Sequence, residues 1–367
     1  MPTEARDPDF VPPSFADPGT GRIVLLADDL TGACDAGAAF LHAGRSVRVW
    51  FGTSVQFSTP DSVQAFNTSS RALSNRHAAR AVTQACAALA GDPNALFFKK
   101  VDSAGRGPLA AELLAAHHAL GTRAILFAPA FPAAGRTVSD GVLEIEDSTG
   151  QQSQTRLHRL FPITSRSRIF HVSHARELAP ALDSDSGKTI FICDSATQAD
   201  LNALAQAAKD LPGLLYAGSA GLAQALAGLI PARPMEALVP QAERTLLIAG
   251  TSHPVTKLQL QELDSDYADN VRILRLKFQF GAAGRIRSAF RSYAPQALIL
   301  TGGETAQLAV QALDAHSFIL QGEFAPGIPW GVVQGGDAHG CTVVTKSGGF
   351  GSPTIFNEIL AALRGRA

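Results

Sequence analysis

With 367 residues the chain is too long for one typical domain, and its formal net charge of −1 leaves no electrostatic footprint for nucleic acid or an anionic membrane. It is 46% hydrophobic and 17% charged, the balance of a globular chain that can bury a core without disulfides. The four cysteines, Cys34, Cys86, Cys193 and Cys341, stand far apart with no CxxC pair, which argues for reduced thiols and against a disulfide framework or a zinc site.

The opening MPTEARDPDFVPPSFADPGTG lacks the apolar core of a signal peptide and reads as a flexible tail over residues 1–20. No later apolar run approaches the ~18–20 residues of a membrane helix. The expected location is therefore the cytoplasm, with neither a membrane nor a nucleic acid as partner. From Arg22 onward short apolar runs alternate with alanine-rich helical stretches. Strands are expected at Ile23–Ala27, Val47–Phe51, Leu96–Val101, Ala124–Ala128, Thr189–Cys193 and Leu214–Tyr216. Helices are expected at Ala33–His42, Ala78–Leu89 and Leu109–Leu120, with Gly44, Gly91 and Gly121 as C-terminal stops and Pro108 opening the third. Glu144–Ser167 is polar and weakly patterned and reads as an irregular excursion. Three prolines within Ile230–Glu243 mark a linker, after which strands resume at Arg244–Ala249, Val271–Leu276, Ala297–Thr301 and Thr342–Thr345.

The pattern predicts an α/β protein of two lobes, each a mostly parallel sheet flanked by helices, with the active site in the cleft between them. The expected domains are 21–230 for the substrate, a linker over 231–243, and 244–367 for a nucleotide. A homodimer is the default assembly.

Charged groups at the carboxyl ends of strands mark where such sheets bind ligands. In LLADDLTGACD, Asp28 and Asp29 end the first strand beside a helix start. They can accept hydrogen bonds from hydroxyls, act as a base or hold Mg²⁺, and one of them can simply cap the helix. In FKKVDSAGRG, Lys99, Lys100, Asp102, Ser103 and Arg106 fall within eight residues. Strand alternation sends the two lysines to opposite faces. Arg106 offers a fork to a carboxylate or phosphate, or pairs with Asp102 at the helix entrance. Arg136 follows the proline-stiffened FAPAFPAAG, and Asn67, Ser69, Ser70 and Arg71 form a further polar cluster. A mixed-sign cluster of this kind suits a small hydroxylated acid.

In the second lobe three glycine turns follow strands: AGTSHPVT, TGGETAQL and TKSGGFG. The second opens a helix, whose unpaired N–H groups make a phosphate cradle. Ser186–Thr189 ends like a Walker sequence but precedes its strand, and no GxGxxG follows the first strand. His171 and His174 have metal-like spacing without clustered partners.

Taken in order, ADDLTGACD, KKVDSAGRG, APAFPAAGRT, YAGSAGLAQALA, AGTSHPVT, TGGETA and TKSGGFG resemble the four-carbon acid sugar kinases. Those enzymes phosphorylate threonate, erythronate or 3-oxo-tetronates at the terminal hydroxyl using ATP. The resemblance implies that the N-terminal lobe binds the sugar acid and the C-terminal lobe binds ATP with Mg²⁺. By position it implies Asp28, Asp29, Asp102 and Arg106 as catalytic residues, and Arg71, Lys100, Ser103 and Arg136 as substrate contacts. Thr251, Ser252, Gly302, Gly303, Glu304, Thr305, Lys346, Gly348 and Gly349 fall on the nucleotide side. Where the family's basic loop reads Asp-Ser-Thr-Leu-Arg-Gly-Asn, this chain has Ala104, Gly105 and Pro108 in place of Thr, Leu and Asn. That loss of a hydroxyl and an amide motivates the alternative, a non-catalytic or divergent sugar-acid or nucleotide-binding protein on the same fold. A nicotinamide-dependent oxidoreductase is argued against by the missing dinucleotide fingerprint.

Overall fold

The computed structural model describes residues 22–51, 62–89, 96–146, 150–162, 168–183, 189–231, 239–264, 267, 269–276 and 281–365. The tail at 1–20, Gly91, most of the linker and the Gly187–Lys188 pair lie outside the described residues. In chain order the first elements are β1 (Ile23–Ala27), α1 (Leu30–His42), β2 (Val47–Trp50), β3 (Val63–Asn67), α2 (Asn75–Leu89), β4 (Leu96–Lys100), α3 (Leu109–Leu120) and β5 (Ala124–Ala128). Then come β6 (Arg136–Ser139), β7 (Val142–Glu146), β8 (Gln152–Arg156), β9 (Arg168–Val172), α4 (Leu178–Asp183), β10 (Thr189–Cys193), α5 (Gln198–Ala208), β11 (Leu214–Gly218) and α6 (Ala220–Ala227). The remainder holds β12 (Thr245–Ala249), α7 (Pro254–Gln261), β13 (Val271–Arg275), α8 (Ala282–Tyr293), β14 (Ala297–Thr301) and α9 (Gly303–Ala312). It closes with β15 (Ser317–Glu323), β16 (Pro329–Gln334), β17 (Thr342–Lys346) and α10 (Ile355–Leu363).

By their contacts the described residues form two units. The first takes in residues 22–26 and 70–230, the second 27–51, 62–69 and 231 onward. In the first unit the strands run β1-β4-β11-β5-β10-β9, with β4, β11, β5, β10 and β9 paired parallel. A separate antiparallel sheet β6-β7-β8 occupies much of the stretch expected to be irregular. Its positive-φ turn at Asp140–Gly141 (φ +50° and +67°) suits a two-residue hairpin, a signal hidden by the polar composition around it. The second unit orders its strands β13-β12-β14-β17-β16-β15-β2-β3. There β13, β12, β14 and β17 are parallel, whereas β16 runs antiparallel to both β17 and β15.

Local chemistry explains the boundaries. Every residue of β1, β4, β5, β10, β11, β12, β14 and β17 is buried, as expected of parallel strands covered on both faces. Asp29 caps α1, and Thr197 and Asp200 form a capping box on α5. Gly121 ends α3 in the left-handed conformation, and Pro108 is the N-cap of that helix, one position before its first turn. In the second unit Leu247, Ile299 and Val344 of the sheet pack with Trp330 and with Phe356 and Ile359 of α10. Among the described residues no helix is long and apolar enough to cross a membrane, and none of the four cysteines joins a disulfide.

Candidate functional site

The second unit assembles the three glycine turns. Register pairs Ala249 with Thr301 and Thr301 with Lys346, so β12, β14 and β17 end side by side and their turns leave from one edge of the sheet. The close approach is built into the glycines. A Cβ on Gly302, which sits at φ +97°, would lie 3.1 Å from Thr251 Cβ. One on Gly348 would meet His253 Cβ at 2.9 Å and Thr251 Oγ1 at 3.0 Å, and one on Gly349 would meet the His253 ring at 3.2 Å. Thr251, Gly302, Gly348 and Gly349 are therefore brought together as expected, with Gly302 as the N-cap of α9 and Gly303, Glu304 and Thr305 as its first turn. Ser252 is exposed within the first of the three turns.

Lys346 lies beneath the third glycine turn. Its side chain is fully buried, and Nζ donates to the carbonyls of Ser347 (3.0 Å), Gly348 (3.3 Å) and Phe350 (3.0 Å). Burial lowers its pKa to about 8. The ammonium thus braces the third glycine turn from beneath. Two residues of α7 complete the brace: Thr256 Oγ1 donates to Gly348 O at 2.7 Å, and Gln259 Nε2 to the carbonyls of Phe350, Gly351 and Ser352.

Asp28 and Asp29 belong to this same unit. Asp29 Oδ1 accepts the Gly32 N–H at 2.8 Å, and Oδ2 accepts the Thr31 hydroxyl at 2.8 Å. The capping role is real, yet the carboxylate also faces the start of α9: a Cβ on Gly303 would sit 2.6 Å from Asp29 Oδ2. A carboxylate beside a glycine-opened helix start can hold a cation that bridges to a bound phosphate. Asp28 is buried at the end of β1. Asn67 of the polar cluster donates to Gln307 of α9 at 2.5 Å.

The first unit holds the basic loop. Alternation at the end of β4 divides the lysines as expected. Lys99 turns inward to Glu112 of α3 at 2.7 Å, both side chains essentially inaccessible, while Lys100 Nζ donates to Val101 O at 2.9 Å. Asp102 is gripped from several sides. Arg106 Nε and Nη2 donate to its two oxygens at 2.9 and 2.6 Å, the Ala104 and Arg106 N–H groups donate to Oδ2, and Arg71 Nη1 lies 3.5 Å away. Burial alone would raise the Asp102 pKa, but the bonds from Arg106 and the charges of Arg71, Arg106 and Lys100 outweigh it and hold the carboxyl well below its usual range. A carboxylate so placed accepts protons poorly and fixes the two guanidiniums, of which Arg106 is two-thirds exposed. Ser103 is partly buried in the same turn, and Gly107 (φ +89°) lies against the Arg71 backbone. Arg136 begins β6 and exchanges two backbone hydrogen bonds with Phe131.

Thr31, His253, Thr256, Gln259 and Glu112 were not apparent as site-shaping residues from sequence. Two left a trace: His253 precedes a proline that opens a helix, and Glu112 is a lone acid in the apolar stretch LAAELLAA. The YAGSAGL segment packs closely. A Cβ on Gly218 or Gly221 would meet Ala128 O or Ala130 O at 2.5 or 2.7 Å, so this motif seats α6 against the end of β5.

Comparison with known proteins places these features in a family. The model described as the sugar-binding N-terminal domain matches residues 23–226, more than half of the chain, and that of the nucleotide-binding C-terminal domain matches 280–356. A D-threonate kinase of Salmonella typhimurium is 27% identical over 92% of this chain and 97% of its own length. A 3-oxo-tetronate kinase of Cupriavidus necator is 27% identical over 73% of this chain and 77% of its own. Among solved structures, a Haemophilus influenzae protein shares the fold with a TM-score of 0.67 at 20% identity, over 91% of this chain and 98% of its own.

Proposed function

Since the chain belongs to the family of the sugar-binding N-terminal domain, here followed by a nucleotide-binding C-terminal domain, we propose that it is an ATP-dependent kinase of a four-carbon sugar acid. Threonate, erythronate and 3-oxo-tetronates are the candidate acceptors, phosphorylated at the terminal hydroxyl. The observation that carries this reading is the alignment of three glycine turns at the ends of β12, β14 and β17.

The residues present fit a nucleotide. A Cβ would collide at Gly303 and Gly348 and crowd its neighbours at Gly302 and Gly349, so bare backbone there lets N–H groups reach phosphate oxygens. Among the described residues no cluster of three or more His, Cys, Asp or Glu could hold a metal ion by itself. Mg²⁺ would keep waters and be bound largely through substrate phosphates, with Asp29 and Glu304 as the carboxylates at hand. When bound, Mg²⁺ neutralises charge on the transferring phosphoryl group.

The chain's own residues then do three things. The turns orient the phosphates, with Lys346 keeping the third turn in shape rather than touching the ligand. Arg71, Arg106 and Arg136 bind the acid's carboxylate, the first two held by Asp102. Asp28 orients the terminal hydroxyl and takes its proton, a task to which Asp102, with its depressed pKa, is unsuited.

The test is ADP release from Mg-ATP against a panel of D- and L-threonate, D- and L-erythronate and 3-oxo-tetronates. Turnover with at least one acid, reduced about 100-fold or more in Asp28→Asn with little change in the KM for ATP, is the expected result. Binding of a panel acid and of ATP without ADP release would replace the kinase with a non-catalytic binding protein.

A further inference from the structure

The histidine at 171 finds a partner other than a metal. His171 Nε2 lies 2.9 Å from Asp194 Oδ1, at the end of β10. Asp194 also accepts two backbone N–H groups from the β6–β7 turn, that of Asp140 at 2.9 Å on Oδ2 and that of Gly141 at 3.0 Å on Oδ1. Next to it, Ser195 and Val138 exchange reciprocal backbone hydrogen bonds of 2.9 Å. The far end of β6 is pinned as well: Phe131 and Arg136 exchange backbone bonds of 2.8 and 3.1 Å, and a Cβ on Gly135 would meet Glu146 O at 2.9 Å. Arg136 therefore heads a four-residue strand anchored at both ends.

The turn does not need Asp194 in order to form. Asp140 and Gly141 both take left-handed backbone angles, the pair a two-residue hairpin favours on its own. What the carboxylate adds is location, because it ties the tip of a small satellite sheet to the end of β10 in the main sheet of the first unit. A side chain that binds both N–H groups of a hairpin turn makes sense where that hairpin carries a group that must be held to within a fraction of an ångström.

We propose that Asp194, oriented by His171, is a positioning residue for sugar-acid recognition: it fixes the β6–β7 hairpin and thereby sets where the Arg136 guanidinium meets the substrate carboxylate. This rests on the assignment of Arg136 to the substrate in the kinase reading.

The test compares wild type, Asp194→Ala, Arg136→Ala and the double variant with the panel acid that turns over fastest. Asp194→Ala should raise the KM for the acid about tenfold or more while the KM for ATP stays within about twofold. Amide hydrogen exchange across residues 136–146 should quicken. In the Arg136→Ala background, Asp194→Ala should add nothing further to the KM for the acid, an outcome a merely structural role would not produce. His171→Phe should give a weaker form of the same effect. Independent, additive effects of the two substitutions would overturn the proposal, as would faster exchange with an unchanged KM for the acid. If Arg136→Ala itself leaves that KM unchanged, the assignment of Arg136 is wrong and the proposal falls with it. If no panel acid turns over, the kinase reading has failed first.

Discussion

Replacing Gly303 with alanine asks for space that α1 already occupies. The new Cβ would lie 2.6 Å from Asp29 Oδ2 and 3.3 Å from Thr31 Oγ1, and the first distance is shorter than real Cβ contacts allow. Asp29 cannot swing aside freely, because its two oxygens accept from Gly32 N–H and the Thr31 hydroxyl. Relief requires breaking the α1 cap, which costs about 1 kcal/mol, or displacing the start of α9, an overpacking cost of about 1–3 kcal/mol. Helix propensity returns up to about 1 kcal/mol, so the net is a loss of up to roughly 2 kcal/mol. Gly284 of α8 is the internal control: nothing lies within 4 Å of its Cβ, and alanine there should stabilise by about 0.5–1 kcal/mol. Denaturant unfolding reads both signs, and calorimetry with Mg-ATP reads the site. Gly303→Ala should weaken nucleotide binding about tenfold or more, since both the helix start and Asp29 must move. A Gly303→Ala protein with wild-type stability and nucleotide affinity would refute the packing argument.

Lys346→Met removes the donor to three turn carbonyls and should cost about 2–4 kcal/mol of stability. Nucleotide affinity should fall with it while the KM for the acid holds, as steady-state kinetics would record; a rise in the KM for the acid alone would contradict the bracing role. Glu323 is pushed up to about 7 by burial, with the nearby Asp35 charge adding to the effect. Its folded pKa lies above the unfolded value of 4.5, so the folded state holds the proton longer and stability falls as pH rises from about 4.5 to about 7. Glu323→Gln keeps an acceptor for the Gly327 N–H, which Oε1 takes at 3.1 Å, and should remove that decline. It should stabilise the protein at pH 8 by up to about 3 kcal/mol, and urea unfolding at pH 5 and 8 checks the sign. A fragment of residues 231–367 expressed alone should aggregate or stay unfolded, because β15 would lose its pairing with β2 and the cover of α1. A monomeric, cooperatively unfolding fragment would show that the second unit does not need residues 27–69.

What the sequence disclosed, it disclosed through periodicity and punctuation. The buried parallel strands appear as short apolar runs, and the three glycine turns stand out because each follows such a run directly. Their meeting along one edge is shown by the Ala249–Thr301–Lys346 register. Side-chain direction was harder to read. Lys346 falls on the nucleotide side by resemblance, and its burial beneath the third turn depends on carbonyls that the turn bends back, which the sequence does not display. Asp102 reads as a base or half of an ion pair, and the pairing with Arg106 and Arg71 becomes visible only in the fold. The antiparallel strands β15 and β16 and the β6–β7–β8 sheet escaped because they mix polar and apolar residues with glycine, without the long apolar runs of the central strands.

The same long-range logic governs how the chain divides. The sugar-binding family model spans residues 23–226, and the linker prolines invite a cut near 231. Contacts keep that cut and add another: α1, β2 and β3 join the C-terminal strands, and β2 pairs antiparallel with β15 through Ser317–Trp50, Phe318–Val49 and Ile319–Arg48. One consequence is that Asp29, early in the chain, stands at the start of α9, nearly three hundred residues later, as a packing neighbour within a single unit. A carboxylate in that position is fixed by the nucleotide-side fold itself, through the α1 cap and the absent side chain of Gly303. For the proposed kinase this separates the work of two adjacent aspartates. Asp29 holds the α1 cap through Gly32 and Thr31 and lies against the start of α9, whereas loss of Asp28, the proposed base, should be felt in kcat rather than in nucleotide affinity.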